Sequence, residues 1–190
     1  MSFFRSMRFF SVAEFTLRSK RKAVKIMKIR NATMDDLDAI ADVESECFPK
    51  NEAATREQLQ ARLKAYPNHF WLLENDEGRV VSFVDGMTTD LDKLTDEMYE
   101  NAAMHDESGA WQMIFGVNTL PEYRGRGCAA ALLKCAIATA ATHGRRGLVL
   151  TCKDELMHYY AKFGFKDEGI SSSTHGGVVW HDMRLEFPKA

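Results

Sequence analysis

Val117-Asn118-Thr119-Leu120-Pro121-Glu122-Tyr123-Arg124-Gly125-Arg126-Gly127-Cys128-Ala129-Ala130 decides how this chain is read. A strand ends at Val117, a proline turn follows, and Arg124-Gly125-Arg126-Gly127 enters an alanine-rich helix expected over about 125–143. Glycines let backbone N–H groups approach an anion with no Cβ in the way. A helix N-terminus adds unpaired donors and roughly half a positive charge. Arg124 and Arg126 add whole charges. On physical grounds alone the stretch is a pyrophosphate cradle.

More than one class of ligand could use such a cradle. Gly125-Arg126-Gly127-Cys128-Ala129-Ala130 satisfies G-x-G-x-x-A, the dinucleotide fingerprint. That fingerprint belongs after the first strand of a βαβ unit, with an acid closing the next strand about 20 residues on. Here the loop follows the fourth strand, and Asp154 lies too far along. A plain glycine turn before an ordinary helix is the bland alternative.

Outward from the loop, the order of elements reads β-α-α-β-β-excursion-β-α-β-α-β-β, a mixed α/β single domain. A strand over 27–32 leads to a helix with a capping box, Thr33 with Asp36, and an apolar stripe of Leu37, Ile40, Ala41, Val43 and Cys47. Thr55 with Gln58 opens a second helix, which Pro67 stops. Phe70–Leu73 and Val80–Val84 flank the turn Asn75-Asp76-Glu77-Gly78 as a hairpin. A polar excursion spans 87–108. A strand follows from Trp111 to Val117, then the long helix stopped by Gly144. A buried strand over 148–152, a helix over about 154–163 and strands over 165–168 and 178–185 complete the chain.

Composition bounds the class. The chain has 190 residues, 45% hydrophobic and 27% charged, with a net charge of −2. That profile fits one globular domain and gives no reason to expect nucleic acid or a membrane span. The four cysteines, Cys47, Cys128, Cys135 and Cys152, form no C-x-x-C pair and read as reduced core thiols of a cytoplasmic protein. No His/Cys cluster has metal-site spacing, so no metal is expected. Residues 1–26 stand apart: Arg5, Arg8, Arg18, Lys20, Arg21, Lys22 and Lys25 oppose Glu14 alone. They read as a targeting segment or as an upstream extension, with the domain proper expected over 27–187.

Arg124-x-x-Gly127-x-Ala129 resembles the R/Q-x-x-G-x-G/A signature of the GNAT acetyltransferases. Phe115-Gly116-Val117, Pro121-Glu122-Tyr123-Arg124 and the later Tyr159-Tyr160-Ala161-Lys162-Phe163-Gly164-Phe165 are similar to that family's strand, loop and F/Y-Y-x-K-x-G-F motif. Cys47-Phe48-Pro49, Glu52-Ala53-Ala54-Thr55 and Thr151 to Leu156 resemble its serotonin (arylalkylamine) N-acetyltransferase branch. The resemblance implies the GNAT fold, acetyl-CoA as cosubstrate and a small-molecule primary amine as acceptor. It implies that Phe115, Gly116 and Val117 meet the pantetheine arm through backbone groups. It also implies that Arg124, Gly125, Arg126, Gly127, Cys128, Ala129 and Ala130 hold the pyrophosphate, and that Tyr160 protonates the leaving thiolate. Trp111 and Met113 stand where vertebrate members of the branch carry two histidines, so that proton path is absent.

For the acceptor, Glu52 and Asp85 are the candidate bases, and Trp111 and His175 candidate wall residues. Residues 85–107 hold eight acids against Lys93 alone, a field that would concentrate a cationic amine or simply a solvated face. Trp71, Phe83, Trp111 and Trp180 read equally as an aromatic pocket or as core. Besides an aryl-ethylamine or polyamine acetyltransferase, a protein N-terminal or lysine acetyltransferase and a non-catalytic coenzyme A-binding module stay open.

Overall fold

The computed structural model describes residues 13–17 and 25–188; residues 1–12 and 18–24, most of the basic extension, lie outside the described residues. Strand β1 (Ala13–Leu17) pairs antiparallel with β2 (Lys25–Asn31), so the strand expected at Met27 begins at Lys25.

Local chemistry explains the first helices. The Asp36 carboxylate accepts from the Thr33 N–H at 2.7 Å, and one tight turn leads into α1 (Leu37–Cys47). Leu37, Ile40 and Val43 of its stripe are buried, and Glu44 is buried with them. Thr55 and Gln58 form the second capping box: Thr55 N–H reaches Gln58 at 2.7 Å and Gln58 N–H reaches Thr55 at 3.2 Å. Helix α2 (Arg56–Ala65) follows and ends ahead of Pro67. Strands β3 (Phe70–Glu74) and β4 (Val80–Asp85) form the expected hairpin, with Asn75 Oδ1 accepting from Glu77 and Arg79 N–H in the turn.

The excursion holds a two-residue strand, β5 (Thr88–Thr89), and a short helix, α3 (Asp96–Glu100). The single strand expected from Trp111 to Val117 is divided at Phe115 into β6 (Trp111–Ile114) and β7 (Gly116–Thr119). Helix α4 (Cys128–Thr142) begins where Gly127, at φ +82°, supplies a left-handed cap. Its buried face, Leu132, Leu133, Ala136 and Ala140, lies on the sheet. Then come β8 (Gly147–Cys152), α5 (Met157–Ala161), β9 (Lys166–Ile170) and β10 (His181–Glu186). The helix expected over 154–163 is thus a tight turn followed by α5.

Among the described residues the strands form two five-stranded sheets, ordered β1-β2-β3-β4-β7 and β5-β6-β8-β10-β9. Their pairings are antiparallel except β6 with β8. This is the expected mixed α/β class. Strand β4 is buried along its whole length, with α1 and α4 both packed on it.

The division at Phe115 creates the site. The parallel β6–β8 pair runs from Trp111↔Gly147 to Ile114↔Leu150 and stops. Beyond Phe115 the chain stays with β4, pairing Gly116–Thr119 with Ser82–Asp85, and leaves β8 behind. A wedge opens between β7 and the end of β8. Leu120 N–H donates to Val81 O at 3.0 Å, and hydrogen-bonded pairs alternate along an antiparallel ladder. The backbone groups of Val117 and Thr119 therefore point away from β4, into the wedge.

Candidate active site

A groove of about 690 Å³ fills the wedge and runs to the N-terminus of α4. Val117, Gly125, Gly127, Ala129 and Ala130 line it, with Tyr160 on the facing wall. Gly125 and Gly127 have φ of +70° and +82°, and a Cβ on either would meet no atom within 4 Å. Conformation, not crowding, selects glycine there, and the space above both stays open. Among the described residues the N–H groups of Gly125 to Ala130 make no backbone hydrogen bond; Ala131 is the first to do so, to Gly127 O at 3.0 Å. Converging unpaired donors under open space fit the pyrophosphate of a coenzyme A thioester. Arg124 braces the loop, donating to Thr119 O at 3.1 Å, and Arg126 lies over the Tyr123 ring at 5.1 Å.

Tyr160 is 6% exposed and its hydroxyl has no hydrogen-bond partner among the described residues. Burial, with smaller contributions from Cys152 and Tyr159, pushes that hydroxyl well above tyrosine's ordinary range. It is therefore neutral throughout the physiological range and free to donate into the groove.

A second, narrow cavity of about 40 Å³, room for roughly three water molecules, adjoins the groove. Phe48, Glu52 and Trp180 line both. Its floor is polar and buried. Asp85 accepts from Gly116 N–H at 3.0 Å and from Arg62 at 3.2 Å. Burial raises the Asp85 carboxyl, while Arg62 and that N–H pull it back. Arg62 also donates to Tyr99 O at 2.9 Å and lies 4.9 Å from the Phe115 ring centre. Glu44 reaches in from α1, accepting from Ala54 N–H at 2.9 Å. Burial first and the Asp85 charge second push its carboxyl up to about 7. A Cβ at Gly116 would lie 2.7 Å from Asp85 Oδ1, 2.8 Å from Asn118 Nδ2 and 3.8 Å from Glu44 Oε2, so only glycine lets these groups converge.

The roof is a tied loop. His175 bonds Glu52 O through Nε2 at 3.0 Å and stacks on Tyr99 with centres 4.9 Å apart. Asn51 donates to Gly176 O at 2.6 Å, and Asp96 accepts from Thr174 N–H at 3.0 Å. Glu52 meets Lys153 at 2.9 Å.

The acetyltransferase (GNAT) family model matches residues 37–165. The chain belongs to this family. Over 113 residues it is 26% identical to the serotonin N-acetyltransferase of Mesocricetus auratus, covering 59% of this chain and 53% of that one. The chain thus spans about half the length of that curated relative. The loading GNATL domain of CurA from Lyngbya majuscula superposes with a TM-score of 0.72 at 19% identity, covering 84% of this chain and 97% of that one. The PaiA N-acetyltransferase of Thermoplasma acidophilum, solved with coenzyme A, superposes at 0.63 with 15% identity, covering 85% and 99%. Both structural likenesses speak to the fold.

In this GNAT chain the residues singled out from sequence divide into groups. Val117, Arg124, Gly125, Gly127, Cys128, Ala129, Ala130 and Tyr160 share the groove. Phe115, Gly116, Asp85 and His175 line the narrow cavity, and Glu52 lies between the two. Arg126 lines neither. Trp111 also lines neither: it is 1% exposed, with Arg146 5.0 Å and Arg184 4.7 Å from its ring centre. Trp71 and Phe83 are core, which leaves Trp180 as the cavity member of that aromatic set. Of the eight acids over 85–107, Asp85 lines the cavity.

Sequence reasoning missed Glu44, Arg62 and Tyr99. Glu44 sits on the apolar stripe, four residues after Ile40, and that polar intrusion was the available signal. It also missed a trio away from the site: His69, His105 and Glu107 have ligand atoms within 4.8 Å of one another. The hydrogen bonds there argue for a proton-sharing cluster. Thr88 N–H donates to His105 Nδ1 at 3.2 Å, which leaves the proton on Nε2, facing Glu107. A neutral ring held that way cannot ligate a metal through Nε2.

Proposed function

We propose that this chain transfers the acetyl group of acetyl-CoA to the primary amine of a small molecule, by direct attack within a ternary complex. The observation that carries the reading is the junction of the two spaces. A groove floored by unpaired backbone donors meets a carboxylate-lined cavity at Glu52, Phe48 and Trp180, under a free tyrosine hydroxyl.

Gly125 to Ala130 would hold the pyrophosphate, and Val117 would meet the pantetheine arm and polarise the thioester oxygen through backbone N–H. Tyr160 would donate to the departing thiolate. Holding both reactants supplies much of the rate. Glu44, the cavity carboxylate not ion-paired with Arg62 or Lys153, favours a cationic head, and Tyr99, Phe115 and Trp180 an aromatic one. Aryl-ethylamines are thus the first choice of acceptor and polyamines the second.

Residues 27–187 form the catalytic unit in this reading, and no step calls for a metal. The four cysteines are free, which supports a reducing, cytoplasmic setting. No helix among the described residues is long and apolar enough to cross a membrane.

Thiol release from acetyl-CoA, measured across 2-phenylethylamine, spermidine and peptides with free N-termini or lysines, tests the reading. Turnover with the small amines is expected. Turnover with peptides alone would move the chain to protein acetylation, and binding without turnover would make it a coenzyme A-binding module.

A further inference from the structure

An acceptor ammonium must lose a proton before it can attack a thioester. Three carboxylates and one imidazole line the narrow cavity, and their partners separate them. Both Asp85 oxygens are engaged, one by Gly116 N–H and one by Arg62. Glu52 is neutralised by Lys153, and its other oxygen is sealed from solvent. His175 is held as roof, with Nε2 committed to Glu52 O. Glu44 differs. One oxygen is anchored by Ala54 N–H at 2.9 Å, while Oε2, near the Asn118 carboxamide but in no hydrogen bond of ordinary geometry, lies at the cavity beside Gly116. The carboxylate is therefore fixed in place by one oxygen and presents the other, with only the Asn118 contact, next to the strand whose backbone lines the groove.

We infer that Glu44 is the general base of the acetyl transfer proposed above, taking the proton of the acceptor ammonium on Oε2. The proposal rests on that acetyl-transfer reading. The N–H bond breaks, its proton bonds to Oε2, and the freed nitrogen pair forms the new bond to the acyl carbon. The carbon–sulfur bond breaks with its pair going to sulfur. Tyr160 gives the thiolate a proton and recovers the surplus one from nitrogen. Glu44 returns its proton to water before the next turnover.

The surroundings tune this group for the task. Asp85 from β4 faces it with like charge, and Arg62 from α2 with opposite charge. Cys47 follows on its own helix, Glu52 and His175 stand across the cavity, and Tyr99 closes it from α3. The Asn118 carboxamide lies beside it and pulls its carboxyl back down a little, through a contact outside ordinary hydrogen-bond geometry. The net result is a carboxyl poised near neutrality, where a general base is most effective.

The test is the pH profile of kcat/KM for the full chain and its Glu44→Gln and Glu44→Asp variants, with 2-phenylethylamine and spermidine as acceptors. The wild-type profile should rise through an inflection near 7 to a plateau. Glu44→Gln keeps the oxygen that accepts from Ala54. It should lose on the order of 10²-fold in kcat near pH 7.5, within the usual range for base catalysis, and bind acetyl-CoA as before. Its rate should climb steadily toward the amine's own pKa, so that the gap to wild type narrows at high pH. Glu44→Asp should be slower than wild type but keep the inflection, which separates lost chemistry from lost folding. An inflection near 7 that survives Glu44→Gln, or that disappears only in His175→Asn, overturns Glu44. A wild-type chain that acetylates no amine overturns the acetyl-transfer reading itself.

Discussion

Arg62 and Asp85 form an ion pair at 3.2 Å beneath the narrow cavity, 5% and 1% exposed. The guanidinium also binds Tyr99 O, and the carboxylate binds Gly116 N–H, so the pair ties α2, α3, β4 and β7 together. Removing one partner leaves an uncompensated buried charge, which costs about 3–5 kcal/mol. Arg62→Met should lower the urea midpoint accordingly, and adding Asp85→Asn should recover most of it. A single variant as stable as wild type would show that the pair holds nothing together.

Tyr160→Phe keeps the ring and removes the hydroxyl. If that hydroxyl donates to the leaving thiolate, kcat should fall on the order of 10²-fold while acetyl-CoA affinity barely changes. Because burial already holds the hydroxyl far above neutrality, no inflection below pH 9 should belong to it. Wild-type turnover in the variant would assign Tyr160 to packing against Phe165, whose ring lies 6.0 Å away.

The cradle can be tested apart from the fold. Ala129 lines the groove half-exposed, so Ala129→Glu puts a negative charge where phosphates are proposed to sit. Acetyl-CoA affinity by calorimetry should drop by more than tenfold with little change in melting temperature. Gly127→Ala should instead cost about 1 kcal/mol of stability, because its φ of +82° disfavours any side chain. Tight NAD binding with none for acetyl-CoA would reverse the ligand assignment.

Glu44 also makes stability depend on pH. Its folded carboxyl titrates near 7 against an ordinary 4.5, so between those values the folded state binds the extra proton. Its contribution is favourable at low pH and is lost as pH rises through that window, a change of roughly 3 kcal/mol. Glu44→Gln should flatten this segment of the stability curve and leave the chain relatively more stable at pH 8. Denaturant titrations from pH 4.5 to 8 decide it; an unchanged slope would place the carboxyl in water.

Residues 1–24 should be separable from catalysis. Removing them takes away β1 and exposes the ladder groups of β2, an edge prone to pairing with another chain. We expect a chain beginning at Lys25 to keep its turnover and acetyl-CoA affinity while melting lower or self-associating. Loss of turnover in a folded, monomeric truncation would bring the extension into the active unit.

What the sequence determined by itself is local. The capping boxes at Thr33 and Thr55, the Asn75–Gly78 turn and the glycine loop before α4 follow from contacts between residues a few positions apart. The groove residues Arg124, Gly125 and Gly127 to Ala130 were legible for the same reason: a helix N-terminus carries its own donors. Only the tertiary structure decided the rest. Trp111 to Val117 reads as one strand, yet β8 holds it to Ile114 and β4 holds it beyond, and the competition between the two pairings opens the wedge at Phe115. Trp111 falls outside the site because Arg146 and Arg184 close around it from other elements. Glu44 is one acid among several on a helix until Ala54 and β7 bury it against Asp85. Backbone geometry is set by near neighbours, but the desolvation and charge that make a carboxylate reactive come from groups far along the chain.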